Sequence, residues 1–397
     1  MKNASQKTNI IKLYIYNFIV NFAVVDIILN LYFRSIGLSF SQIGILLAVS
    51  QFGKLFFEIP TGYIADRYGN KKSVLTALLL QITAYSSMYL CVNYYFIILL
   101  LIILSISYTL TTGCVDAIIV DTVSKTNDRS TLVQINAINR IIQYFSFGLA
   151  GVTAGFLAEK NYALVFAVNV FLLVICFLVF ISVDDSPAKE NRKHSEEFKP
   201  KNIAGYIRSN RFILYFILIE SAIAWAMIPI DGFYSNYLHS NFNIPISLVG
   251  LIIGLQYMLI SFVGLYSRNM SKHISINKTI RIGPMIMIAL FFLFSVTKAP
   301  LLSIIFYVLA LGVFCLYNPV RYGALQNSIV SKYRVTVISF KSVACAGLSM
   351  ISHPLMGCFS DALGMQVGMQ ILIGISFFLL ILINCLFGDL NFNNTQP

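Results

Sequence analysis

Apolar residues fall in long blocks along this chain, and polar residues gather in the short intervals between them. A helix that crosses the hydrocarbon core of a bilayer needs roughly 20 mostly apolar residues. Blocks of that size predict twelve spanning helices, over residues 10–33, 41–65, 73–92, 95–123, 131–157, 162–183, 212–235, 245–267, 279–297, 301–329, 335–357 and 366–388. The fold class expected is an all-α integral membrane protein. The first block is too long for the core of a signal peptide, contains Asp26, and is followed by no small-residue cleavage pattern, so it is read as a span. An even number of spans returns both termini to one side.

Charge decides which side. With the termini in the cytoplasm, 21 of the 28 basic residues fall on the inside, in loops or, for Lys12 and Arg281, near the inner ends of spans. Only Arg34, Lys160 and Lys298 fall outside, and Lys54, Arg140, Arg321 and Lys341 lie within spans. An excess of this size is the behaviour of cytoplasmic loops. The expected location is therefore the plasma (inner) membrane, with both termini cytoplasmic.

Composition narrows the function classes. With 58% hydrophobic and 11% charged residues in 397, the chain is far from a soluble composition. The net charge of +12 does not point to nucleic acid, because the basic residues are dispersed among short loops rather than gathered on one face. All seven cysteines lie in or at the ends of apolar blocks without a C-x-x-C pair, so neither a disulfide framework nor a metal site is expected. The four histidines are scattered, and no nucleophile, base and orienting acid assemble from local motifs, so no enzyme is expected. The sequence has no Gly-x-x-x-x-Gly-Lys-Ser/Thr loop, and neither a nucleotide nor another cofactor is expected.

One interval is more specific. After the second block comes Gly62-x-x-x-Asp66-Arg67-x-Gly69-x-Lys71-Lys72. Pro60 removes an intrahelical donor shortly before it, Gly62 lets another helix approach, and Gly69 permits a tight turn. The six defined positions match the loop between helices two and three of the major facilitator superfamily, which the chain resembles. The preceding Glu58-Ile-Pro-Thr61 is similar to bacterial drug and small-molecule efflux members. The resemblance implies two pseudo-symmetric six-helix bundles around a substrate site near the bilayer midplane. It also implies that Asp66 caps the start of span eleven, around Val335, where a helix dipole favours a carboxylate.

The polar segment 184–211 fits this division, giving bundles at 1–183 and 212–397 joined by a cytoplasmic linker that carries a short interfacial helix. The internal repeat is imperfect: Gly264 is followed by Arg268 where the first half has Asp66. A different echo pairs Gly155-x-x-x-Glu159 with Gly357-x-x-x-Asp361-x-x-Gly364, both at outer helix ends. Gly148, Gly151 and Gly155 form a small-residue face. The glycine-proline motif of many antiporters is missing here, since the chain reads Gly151-Val-Thr-Ala-Gly155.

Ionisable side chains inside lipid are costly and become functional candidates by default. Asp26, with Asn30 one turn later and no cation nearby in sequence, is either a proton-coupling acid or a hydrogen-bonded structural one. Glu58 can neutralise Lys54 one turn away, pair with Arg140, or act in gating. Asp116 and Asp121 are about 140° apart on one helix; Asp121 is expected beside Asp66 and Arg67, Asp116 toward a cavity or Arg140. Glu220 and Asp231 share a helix face, with Glu220 lining the cavity. Trp225, Tyr234 and Tyr237 could offer aromatic surface to a ligand. Arg321, Lys341 and His353 complete the candidates, and Arg321 can equally pair with an acid.

These readings lead to a secondary transporter working by alternating access, with proton-driven export of a small amphipathic organic compound as the leading function. Proton-coupled uptake of a small metabolite and a transport-inactive receptor or assembly factor are the alternatives. The expected partners are a small-molecule substrate, protons and the lipid bilayer, with one chain sufficing.

Overall fold

The computed structural model describes residues 2–124, 129–184, 201–270, 276–330 and 333–390. Most of the expected linker lies outside them, as do Lys125, Lys189, Arg192, Lys193, Lys199, Lys272 and Lys332 of the cytoplasmic tally. Every regular element among the described residues is helical. Eleven helices among them are long and apolar enough to cross a membrane, and Ile246–Ile260 is a shorter apolar helix.

Two compact units are present. The first comprises Met1–Leu38, Val49–Arg192 and Asn243–Met258, and the second Ser39–Ala48, Lys193–Phe242 and Leu259–Pro397. The helices Phe40–Tyr68 (α3) and Ile246–Met270 (α11) each contribute a segment to both.

In the first unit the first predicted span is two helices, Lys2–Asn21 (α1) and Val24–Ser35 (α2), interrupted at Phe22 and Ala23. The fourth is likewise divided, into Tyr94–Thr111 (α5) and Cys114–Ser124 (α6), around Gly113 at φ 79°. Helices Asn70–Leu90 (α4), Arg129–Lys160 (α7) and Tyr162–Ile181 (α8) pack around them. Gly69, at φ 95°, makes the turn from α3 to α4. The starts of α5 and α8 are capped by Asn93, which accepts from the N–H groups of Tyr95 and Phe96 at 3.0 and 3.2 Å, and by Asn161, which accepts from Ala163 N–H at 2.8 Å.

The glycine face of α7 meets Gly250 and Gly254 of α11. A Cβ on Gly151 would lie 2.7 Å from Gly254 N, so backbone packs on backbone. At the end of α7, Glu159 accepts from Ser247 N–H at 2.8 Å, capping the first turn of α11.

The second unit contains Lys201–Ser209 (α9), Arg211–Phe242 (α10), Ile276–Val296 (α12), Pro300–Asn327 (α13), Arg334–Leu363 (α14) and Met365–Leu386 (α15). Helix α10 packs against α14 and α15, and α12 against α13 and α15. The Gly357/Asp361 echo repeats the arrangement seen at Gly155/Glu159. Gly357 sits against the backbone of Phe40 and Ser41. Asp361 accepts from the N–H groups of both, at 3.0 and 2.8 Å, and from Ser41 Oγ at 2.5 Å. Two carboxylates four residues after a close-packed glycine thus cap the starts of α3 and α11.

Candidate functional site

The two helix breaks of the first unit line one cavity of about 470 Å3, to which the first contributes Asn21, Phe22 and Ala23 and the second Tyr108, Thr111 and Thr112. Non-helical backbone at membrane depth is tolerated where it borders such a space. Asp26, in the first turn of α2, faces the cavity and keeps accessible surface there. Its two oxygens accept separately, from Tyr85 Oη at 2.5 Å and from Tyr108 Oη at 2.8 Å. The tyrosine hydroxyls are themselves 2.8 Å apart. The carboxyl, which has no cation nearby in sequence, is held by two donors from α4 and α5 that sequence proximity could not reveal.

Lys54 and Glu58 also line this cavity. Among the described residues the ion pair expected between them is not formed, nor is one between Glu58 and Arg140. The Lys54 ammonium instead lies 5.3 Å from the centre of the Tyr108 ring, on its face. Gln81 and Asn169 supply neutral polar groups, while Tyr16, Phe147 and Leu173 supply apolar wall. The cavity is thus amphipathic, with two carboxylates and one ammonium. Asn30 is half-buried on α2 and does not belong to this lining.

A second cavity of about 470 Å3 brings Asp116 and Arg140 together with Asn17, Asn139 and Gln143. The two charges share this polar space without an ion pair among the described residues. Asp121 is half-buried on the same helix as Asp116.

The second unit has its own charged cluster. Glu220 of α10 forms an ion pair with Arg321 of α13, and Lys341 Nζ of α14 lies 3.6 Å from the other Glu220 oxygen. Arg321 donates to Asn318 Oδ1 at 2.5 Å and stacks over the Tyr317 ring at 4.9 Å. Asp231, on the same helix as Glu220, accepts separately from Tyr307 Oη at 2.8 Å. Tyr234 and Tyr237 are buried and pack within the unit, Tyr234 stacked on Tyr307 at 3.8 Å, so the aromatic ligand surface expected of them is not there. The Trp225 indole N–H is buried with no hydrogen-bond partner among the described residues. His353 is buried, its Nδ1 2.6 Å from Ser349 O.

The motif residues cluster at the α3–α4 turn. Asp66, Arg67 and Lys72 are exposed there. A Cβ on Gly62 would meet no described atom within 4 Å, so the helix approach expected at that glycine is not found among the described residues. Lys71 does more than mark topology: it donates to the carbonyls of Ile181 and Val183 at 2.6 and 2.7 Å, holding the C-terminal end of α8 where a cation is favoured.

Comparison with known proteins agrees with this architecture. The Major Facilitator Superfamily model matches residues 13–351. A Bacillus subtilis (strain 168) protein named as the uncharacterized MFS-type transporter YxaM is 22% identical over 344 residues, covering 85% of each chain. Among solved structures, the nucleoside transporter NupG superposes with TM-score 0.78 at 14% identity, covering 96% of this chain and 99% of that one. A D-xylose-proton symporter superposes with TM-score 0.74 at 12% identity, covering 98% and 99%. A bacterial homologue of the human lysosomal transporter Spinster gives 0.75 at 13%, covering 97% and 98%. At these identities the structural likeness speaks for the fold.

Proposed function

This chain belongs to the major facilitator superfamily, and from that premise we propose a secondary transporter that exports small amphipathic organic compounds in exchange for protons. The observation that carries this reading is Asp26, placed between two tyrosine hydroxyls in an amphipathic cavity bordered by two helix breaks. A carboxyl that faces a cavity and is oriented by two neutral donors can bind and release a proton as cargo enters and leaves. Protonation that stabilises the two access states differently couples the proton gradient to transport. Glu58 and Lys54 supply the charges beside it. Asp116 with Arg140, and Glu220 with Arg321 and Trp225, are assigned to the same transport machinery. The mixed apolar and charged lining suits a cargo with both characters.

The proposal extends to twelve spans in two six-helix bundles, 1–183 and 212–397, with both termini in the cytoplasm of a plasma-membrane protein that works as a monomer. The α3–α4 turn is assigned to gating, with Asp66 as the capping carboxylate and Arg67, Gly69, Lys71, Lys72 and Asp121 around it. Members of the family are generally transporters rather than enzymes, so no catalytic residue is assigned.

The test is proton release from full-length protein in lightly buffered detergent on adding a panel of lipophilic drugs, metabolites and peptides. Exchange predicts release with at least one compound, abolished in Asp26→Asn and retained in Glu58→Gln. Binding without proton release from the native protein would overturn exchange. Uptake is the second reading, favoured by the structural similarity to a D-xylose-proton symporter. It predicts proton uptake on cargo binding instead.

A further inference from the structure

We propose that the Glu220–Arg321–Lys341 cluster is an anion site, and that the cargo bears a carboxylate or phosphate group. This deepens the transport reading above and rests on it for the word cargo; the site itself rests on the cluster alone.

The argument begins with charge. Two cations meet one carboxylate, leaving one positive charge in excess, with side-chain exposures of only 6% for Arg321, 11% for Glu220 and 15% for Lys341. Uncompensated charge at membrane depth is costly, and such residues serve sites and pathways when no partner neutralises them. The other described acids of this unit are engaged elsewhere: Asp231 by Tyr307, Asp361 by the start of α3, and Asp389 by Arg211 at 2.6 Å.

Hydrogen bonding points the same way. A lysine ammonium carries three donors. Among the described residues Lys341 has no hydrogen-bond acceptor, its nearest carboxylate oxygen lying 3.6 Å away. Arg321, by contrast, is held by Glu220, Asn318 and the Tyr317 ring, and presents a planar fork suited to a two-oxygen anion. The arrangement lacks one negatively charged acceptor. Glu220 is the resident anion, and an arriving carboxylate or phosphate competes with it for both cations.

Position permits direct observation. Trp225, the only tryptophan in the chain, lies five residues after Glu220 on the same helix. Its fluorescence in full-length protein can follow titration with hexanoate, hexyl phosphate, hexanamide and hexylamine, which share one aliphatic chain and do not absorb near 280 nm. Hexanoate and hexyl phosphate should bind, and their relative affinity separates carboxylate from phosphate. The amide and amine should not. Arg321→Gln and Lys341→Gln should each weaken anion binding about tenfold or more, whereas Arg321→Lys and Lys341→Arg, which keep the charge, should retain most of it. Glu220→Gln removes the resident competitor and should tighten anion binding several-fold over that of the native protein.

Equal binding of the amide or amine, indifference to the charge-removing variants in folded protein, or weakening in Glu220→Gln would overturn the proposal. So would competition by chloride at the same concentration as hexanoate, which would make the site a resident halide site. Flux of the same four compounds into proteoliposomes separates the two readings. Carriage without preference for anions leaves transport standing and removes the anion assignment. Anion binding without carriage of any compound leaves the site and removes transport.

Discussion

Asp26 shows how far a single residue can be read from sequence. Its candidacy follows from the cost of a carboxyl in an apolar block, yet its partners Tyr85 and Tyr108 lie 59 and 82 residues away and carry no local signal. A tyrosine in an apolar block is as well explained by packing. Lys54 and Glu58 show the opposite error, since helical spacing makes a pair available without making it form. The Asp26 triad makes a prediction that pairwise counting would miss. Tyr85→Phe and Tyr108→Phe should each destabilise the protein by about 1.5–3 kcal/mol, the range for a hydrogen bond to a charged group. Because the two hydroxyls contact each other as well as the carboxylate, the double variant should depart from additivity by about 0.5 kcal/mol or more. Unfolding in mixed micelles over the full mutant cycle measures this, and strict additivity would show the tyrosines to act independently.

Elements are legible where hydrophobic length alone specifies them. The blocks locate helices, but the breaks at Phe22–Ala23 and Thr112–Gly113 fall inside blocks long enough to read as single spans. Only the second carries a signal, Gly113 with its positive φ; the first has neither glycine nor proline. The glycine face of α7 was visible, whereas its partners Gly250 and Gly254 fall in an ordinary apolar block. Close backbone contact there gives a signed prediction. Gly151→Ala places a Cβ 2.7 Å from Gly254 N and should cost about 1–3 kcal/mol as an overpacked contact. Gly312→Ala, where a Cβ meets no described atom within 4 Å, should be neutral or stabilising by up to about 1 kcal/mol from helix propensity. Thermal unfolding should shift down in Gly151→Ala and stay level or shift up in Gly312→Ala. The same assay tests the caps: Asp361→Asn, which alters an acceptor of hydrogen bonds from Phe40 N–H, Ser41 N–H and Ser41 Oγ, and Glu159→Gln, which alters the acceptor of Ser247 N–H, should each lower the unfolding temperature.

For the whole molecule, topology is a matter of summed charge rather than of any one contact. On the proposed topology, the excess of basic residues in alternate loops orients the chain because cationic loops are retained on the cytoplasmic side. Lys71 shows why such a loop can do two things at once, since a cation assigned to the inner side also holds the end of α8 through two carbonyls. Lys160, at the end of α7, is one of the three basic residues assigned to the outside, and Lys72 stands in the most basic inner turn. All seven native cysteines are free, so replacing them with alanine removes no crosslink. In that background a membrane-impermeant maleimide added to intact cells should label Lys160→Cys, while Lys72→Cys should react only after the membrane is opened. With the proposed twelve spans, the reverse pattern would invert the whole topology, because neither loop can move alone without unpairing a helix from its bundle. Adding two lysines beside Lys160 should lower the fraction labelled from outside, since the retained loop is set by local positive charge. An unchanged fraction would show that packing, rather than loop charge, fixes the orientation.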